Sequence, residues 1–325
     1  MSMLADGHVT RPATVEDAIA AWCQTPGSRY IAGGTDLVVN IRRGITRPNL
    51  LVDLSGIEDL NALVAGPAGV TIGTGVTIAA LARNPEIASR YRAVAQAAES
   101  IAGPGHRNVA TVGGNLCLDT RCVYYNQSEW WRSANNYCLK NQGDTCHVAP
   151  QGERCHAAFS GDLAPALIAL NATVDIEGAR GPRRIPLADL YVEDGKAHLA
   201  LDPGELVVAV NLPLATQVSA YQKVRTRGAI DFPLAGVAVA LTVAEKKLTS
   251  LRIALTGTNS RPFLLAGTDA FIGKALDDKV LQAIDRAVQK QAQPMRTTIA
   301  SSNYRRLAAA ALARRVVAQL YAEAA

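Results

Sequence analysis

At 325 residues, 49% hydrophobic and 19% charged, the chain is long enough for two or three domains that each bury a core. Its net charge of +5 comes without any block of like charge, since pairs such as Arg42-Arg43, Arg305-Arg306 and Arg314-Arg315 are scattered, and aromatics are only 5% of residues. That excludes the concentrated basic footprint and stacking surfaces of a nucleic-acid binder. No apolar run reaches the roughly 18 residues of a membrane span, and the start, MSMLADGHVTRPATVEDAIAAW, lacks a basic region followed by an apolar one. The expectation is a cytoplasmic protein without membrane partners, in which clustered cysteines serve as metal ligands or redox groups more often than as disulfides.

In chain order, Thr14-Val-Glu-Asp17 has the form of a capping box opening a helix to about Cys23, with Ala18, Ile19 and Trp22 on one face. The run SRYIA then reads as a strand closed by GGTD, residues 33–36, and Val52-Asp-Leu and VTIGTGVT (70–77) read as further strands. Residues 78–102 read as two helical pieces ended by Gly103-Pro104-Gly105. Such alternation predicts an α/β or α+β layer arrangement. Beyond a cysteine-rich stretch, DLAPALIALNATVDIEG (162–178) predicts helix, Asn turn and strand, and RIPLADLYV and ELVVAVNLP are extended. A boundary is placed at ATQVSA (215–220). After it, YQKVRTR, LAGVAVALTVA and TSLRIALTGT predict an antiparallel meander turning at Glu245-Lys-Lys247, and two amphipathic helices finish an α+β unit of roughly 110 residues.

Two Gly-Gly segments stand out. In AGGTDL (32–37) glycines after a strand let backbone N–H groups converge into a nest for phosphate oxygens, with Thr35 adding a hydroxyl. The plainer alternative is a strand-to-helix turn capped by Thr35 or Asp36. ATVGGNL (110–116) repeats the pattern, with Asn115 as donor and acceptor. Two such loops suit a dinucleotide, yet neither a G-x-G-x-x-G fingerprint nor a P-loop occurs, so a Rossmann fold is disfavoured. In YQKVRTRGAIDFPLAG (221–236), Lys223, Arg227 and Asp231 place charge at the mouth of a strand pair. They form a solvated edge or, beside a dinucleotide, let Lys223 reach its redox ring.

Five of the six cysteines, Cys117, Cys122, Cys138, Cys146 and Cys155, fall in one polar stretch at intervals of four, fifteen, seven and eight residues. No C-x-x-C knuckle is present, so neither a zinc ribbon nor a bacterial ferredoxin run applies. A loop of about 40 residues with little apolar content cannot offset an ordering entropy of about 1–2 kcal/mol per residue without a staple. A [4Fe–4S] cluster, a four-thiolate zinc site with His147 or His156 as substitutes, and unligated cysteines all remain open. The expected ligands are Cys122, Cys138, Cys146 and Cys155. Cys117 is expected to pack beside the second Gly-Gly segment, and Cys23 in a core. The Trp130-Trp131 pair is expected to cover the metal site or a partner surface. No Ser-His-Asp set has motif support, so no catalytic residue is assigned to this chain.

Taken in order, AGGTDL, RNVATVGGNLC, DLAPALIAL and YQKVRTRGAIDFPLAGVAVAL resemble the FAD-binding subunit of the xanthine oxidase family of molybdenum hydroxylases over nearly the whole chain. The resemblance implies a two-part FAD domain plus a C-terminal α+β domain, divided as 1–57, 58–217 with an insert at 119–158, and 218–325. It implies FAD contacts at Tyr30, Ile31, Ala32, Gly33, Gly34, Thr35, Asp36, Leu37, Thr111, Asn115, Asp162 and Lys223, with Ile101 and Val207 flanking the flavin. Gly105-His106-Arg107-Asn108 departs from the Gln-Ile-Arg-Asn usual before the second loop, and relatives normally lack the 40-residue insert. An inserted four-cysteine loop resembles that of 4-hydroxybenzoyl-CoA reductase β subunits, which implies a [4Fe–4S] cluster there. It further implies electrons arriving from a ferredoxin-like donor and passing through FAD to a small [2Fe–2S] subunit and a large molybdenum-cofactor subunit. Such a complex removes a phenolic hydroxyl reductively, in anaerobic aromatic degradation. A hydroxylase subunit running electrons outward, and a zinc-stapled nucleotide-binding protein, are the alternatives.

Overall fold

The computed structural model describes residues 8–325. Three sheets divide the chain. The first is three parallel strands, β1 (His8–Thr10), β2 (Arg29–Ile31) and β3 (Leu50–Asp53), in the order β1-β3-β2. The capping reading holds: Thr14 Oγ1 accepts from Asp17 N at 3.1 Å and opens the helix Val15–Gln24. That helix buries Ala18 and Ile19 against Val52, while Trp22 stacks on Tyr30 with centroids 6.2 Å apart. Cys23 departs from expectation. It is exposed, because it follows Trp22 around the helix onto the solvent side rather than joining the buried stripe.

The second sheet is antiparallel, in the order β4-β5-β8-β6-β7, built from β4 (Leu63–Gly66), β5 (Gly69–Gly73), β6 (Thr173–Glu177), β7 (Arg183–Pro186) and β8 (Leu206–Pro213). The strand expected over 70–77 stops at Gly73. Its continuation instead runs alongside the second Gly-Gly segment, where Val112 N donates to Val76 O at 2.9 Å and Ile78 N to Ala110 O at 2.8 Å. Residues 78–100 form three helical pieces rather than two, Ile78–Arg83, Pro85–Arg90 and Arg92–Ser100, because Pro85 and Tyr91 each restart the helix. The helix Leu163–Ala169 is apolar all round and buried along its whole length, packed against the helix Arg92–Ser100 and the strand residues 235–244 and 247–256. Asn171 makes the expected turn with φ +60°.

The third sheet, β12-β11-β10-β9, comprises β9 (Val218–Val224), β10 (Ala235–Ala244), β11 (Lys247–Thr256) and β12 (Phe263–Leu264). Strand alternation decides its two faces. Val237, Val239 and Leu241 join the core beneath the helices Asp278–Gln291 and Ser302–Ala324, while Ala238 and Ala240 face the core that includes the helix Leu163–Ala169. Alanine on that side lets sheet and buried helix approach closely. Arg252 of β11 then donates to the last carbonyls of that helix, Ala169 O and Ile168 O, both at 3.0 Å. No helix among the described residues is long and apolar enough to cross a membrane.

The cysteine-rich stretch leaves and rejoins this frame at one point. Arg121 N donates to Ala158 O at 2.7 Å and Ala158 N to Arg121 O at 2.8 Å, so residues 119–158 form a loop with clamped ends. Inside it, the helix Glu129–Ala134 is anchored by Arg132. This side chain is buried and donates to Gly44 O at 3.0 Å and to Gln127 O and Glu129 Oε2 at 2.5 Å each. Trp130 is 76% exposed, and Trp131 packs on Tyr124 of the cysteine cavity with ring centroids 6.2 Å apart, although neither tryptophan lines that cavity itself. Their helix is held by the buried arginine, which turns Trp130 outward.

Candidate functional site

A cleft of about 860 Å³ opens between the first sheet, the second Gly-Gly segment, the inserted loop and residues 230–232. Of the fourteen residues named from the sequence as cofactor contacts, twelve line it: Tyr30 to Leu37, Ile101, Thr111, Asn115 and Asp162. Its size falls within the usual range of ligand sites, about 300–1,000 Å³.

The first Gly-Gly segment follows β2 directly. Gly34 sits at φ +68°, which a side chain would strain. A Cβ on Gly33 would run into the carbonyl of Val109, so the loop can lie against the turn before the second segment only as glycine. The amides of Gly33, Gly34 and Thr35 donate to no group among the described residues, and all three residues line the cleft. The plainer reading of a strand-to-helix turn is also correct, since Asp36 precedes the helix Leu37–Arg42, but its side chain makes no cap bond. Its carboxylate instead pairs with the Arg121 guanidinium, whose Nη1 also donates to Asn40 Oδ1 at 3.3 Å. Arg121 belongs to the insert, so the insert neutralises an acid that would otherwise repel a phosphate.

The second segment differs from its sequence reading. ATVGGNL is not a loop after a strand; Thr111 caps a short helix, Val112–Leu116, with its Oγ1 accepting from Gly114 N at 3.1 Å. Asn115 Oδ1 accepts from Leu163 N at 3.1 Å and so ties this segment to the one carrying Asp162. Asp162 is buried and accepts from Tyr221 OH at 2.6 Å and from Lys223 Nζ at 3.0 Å. Burial pushes its carboxyl up, against the pull of Lys223 and of the Tyr221 hydroxyl.

Two expected contacts fall elsewhere. Lys223 does not line the cleft. Its ammonium is consumed by Asp162 and by Asp231 O at 3.2 Å, because a lysine side chain only 3% exposed must be paired. Val207 is buried in the core of the second sheet, and its carbonyl accepts from Thr74 Oγ1 at 2.8 Å. Conversely, sequence reasoning missed His106, Tyr125, Lys140, His198 and Phe232, all of which line the cleft. Phe232 lies in the fourth motif and Tyr125 and Lys140 in the insert, but only the departure at Gly105-His106 touched one of these residues directly. His198 donates through Nε2–H to Leu118 O, 2.9 Å away, and burial holds its pKa down to about 4.

A second, small cavity lies in the insert. Cys122, Cys138, Cys146 and Cys155 all line it, together with Tyr124, Tyr125, Lys140 and His147, but Cys117 does not. Cys117 lines the large cleft instead, and burial pushes its thiol up to about 12. His147 Nε2 is engaged with Tyr137 O, and His156 is not on the cavity wall. Burial also raises Cys155, to about 11. All six cysteines are free. No three His, Cys, Asp or Glu side chains among the described residues converge as they would on a single ion. Four thiols thus line one cavity without closing on a single ion.

Comparison with known proteins agrees with this geometry. Residues 4–215 match the FAD binding domain in molybdopterin dehydrogenase, and residues 219–320 the CO dehydrogenase flavoprotein C-terminal domain. The chain therefore belongs to the FAD-binding subunits of the molybdenum hydroxylases of the xanthine oxidase family. It is an oxidoreductase subunit built for FAD. Among relatives, it is 32% identical to the aldehyde oxidoreductase FAD-binding subunit PaoB of Escherichia coli, covering 98% of this chain and 96% of that one. The carbon monoxide dehydrogenase medium chain of Afipia carboxidovorans is 27% identical, over 97% and 96%. In solved structures, a chain of the reconstituted CO dehydrogenase from Oligotropha carboxidovorans has the same fold, with a TM-score of 0.80 at 24% identity and 97% coverage of each chain.

Proposed function

We propose that this chain is the electron-relay subunit of a molybdenum hydroxylase complex that oxidises a small organic substrate, an aldehyde in the first instance. In this reading, a large subunit holds the molybdenum cofactor and a small one the [2Fe–2S] centres, and electrons leave through this chain. The observation that carries it is the cleft itself, where both Gly-Gly segments meet Asp162 and a neutralised Asp36. Tyr30 to Leu37, Ile101, Thr111, Asn115 and Asp162 would hold FAD there. FAD supplies the exchange between paired and single electrons. The chain's part is to present unpaired N–H donors to the diphosphate, to keep Asp36 from repelling it, and to enclose the rest. The aldehyde assignment rests on the relative matched at 32% identity over the full length.

Cys122, Cys138, Cys146 and Cys155 would hold a [4Fe–4S] cluster, which supplies one-electron chemistry at potentials set by charge and hydrogen bonding around the sulfurs. This insert also supports a second reading, the β subunit of a 4-hydroxybenzoyl-CoA reductase, in which a ferredoxin-like donor drives electrons the other way. The purified complex separates them. The first reading expects flavin absorbance to bleach on adding an aldehyde under anaerobic conditions. Bleaching only by a strong reductant, with conversion of 4-hydroxybenzoyl-CoA to benzoyl-CoA, would support the second. One FAD, about four irons and acid-labile sulfide per chain are expected. Stoichiometric zinc without flavin would overturn both.

A further inference from the structure

The two cavities share a wall, and the same two side chains, Tyr125 and Lys140, line both. Lys140 sits between Cys138 and Cys146, in a turn where Cys138 O accepts from Asn141 N at 2.7 Å and Gly143 N at 3.0 Å. Its side chain is 5% exposed. The ammonium has three partners, Asp119 Oδ1 at 2.6 Å, Thr120 O at 3.1 Å and Thr120 Oγ1, and lies 4.4 Å from the centre of the Tyr125 ring. Thr120 is itself buried and donates to Gly195 O at 2.5 Å. All three ammonium protons are thus committed, and the charge is fixed in place. Packing alone does not require a cation there, since methionine fills similar space without the desolvation cost.

The pair is also oriented. Lys140 borders both cavities, whereas its partner Asp119 borders the large cleft and not the cysteine cavity. We propose that Lys140 is an electrostatic positioning residue that raises the reduction potential of the group held by the four cysteines, with Asp119 turning the negative end of the pair toward the flavin side. Each electron added among four thiolates adds negative charge, and a buried cation beside them is screened little by solvent. The pair therefore favours an electron on the cysteine side of the wall over one in the cleft. This inference rests on the cluster reading given above.

The test is an anaerobic redox titration of the whole complex, with the cluster midpoint followed by electron paramagnetic resonance and with iron and FAD content measured alongside. Lys140→Met is expected to keep iron and FAD at wild-type levels and to shift the midpoint to more negative values. Lys140→Arg, which keeps the charge, restores it. Asp119→Asn, which removes the counter-charge at a 30% exposed position, shifts it the other way. Full iron content with an unmoved midpoint in Lys140→Met overturns the proposal. Should that variant lose its iron, Asp119→Asn decides, and an unmoved midpoint there overturns it equally. A wild-type complex without iron would instead remove the cluster reading on which the proposal stands.

Discussion

Asp162→Asn is the sharpest probe of how the cleft is supported. The carboxylate and the Lys223 ammonium are 5% and 3% exposed and 3.0 Å apart. At that distance the attraction is about 5 kcal/mol for an effective dielectric constant near 20, before the desolvation of both ions is subtracted. Asparagine preserves the shape but leaves Lys223 charged against one carbonyl, Asp231 O, and weakens the acceptor of Tyr221 OH. Breaking such a pair costs about 3–5 kcal/mol, whereas replacing both partners by apolar residues is close to neutral. Asp162→Asn should therefore lower the urea midpoint, followed by far-ultraviolet circular dichroism, by an amount worth about 3–5 kcal/mol. The double variant Asp162→Leu with Lys223→Met should recover most of it. A loss under about 1 kcal/mol would mean that the pair behaves as a solvated one and that the reasoning about this wall is wrong.

Gly33→Ala places a methyl group against the Val109 carbonyl, so FAD content after purification should fall well below stoichiometric; unchanged content would show that the loop can move aside. Under the cluster reading proposed above, Cys138→Ser should lose the iron–sulfur spectroscopic signal while FAD remains, and Cys117→Ser should leave iron content unchanged, because Cys117 faces the other cavity. His198, held down to about 4 from 6.5, contributes stability that is fully present above pH 6.5 and is lost as pH falls through about 4, since the unfolded chain takes up its proton first. That shift corresponds to about 3 kcal/mol at most, so His198→Phe should flatten the drop in the denaturation midpoint between pH 6.5 and 4. Thr111→Val removes a helix cap and should cost about 1 kcal/mol in the same assay.

Elements whose cause is local are legible in the chain alone. The Thr14 cap, the Asn171 turn, the hairpin at Glu245-Lys246 with φ of +50° and +58°, and the two C-terminal helices are all where pattern and turn chemistry put them. The Gly-Gly segments were legible for the same reason, since glycine marks backbone that no side chain can occupy. Which charges are free depends on long-range packing. Lys223 reads as a ligand for the cofactor until Asp162, sixty-one residues away, is seen to hold it, and Asp36 reads as a cap until Arg121 of the insert pairs with it. The insert itself reads as a separate loop. Folded, it closes one side of the cleft, because Tyr125, Lys140 and Arg121 come from a segment clamped at its ends onto the flavin domain. Burial and long-range pairing depend on what the rest of the chain brings up to a residue, and that is information no local stretch carries.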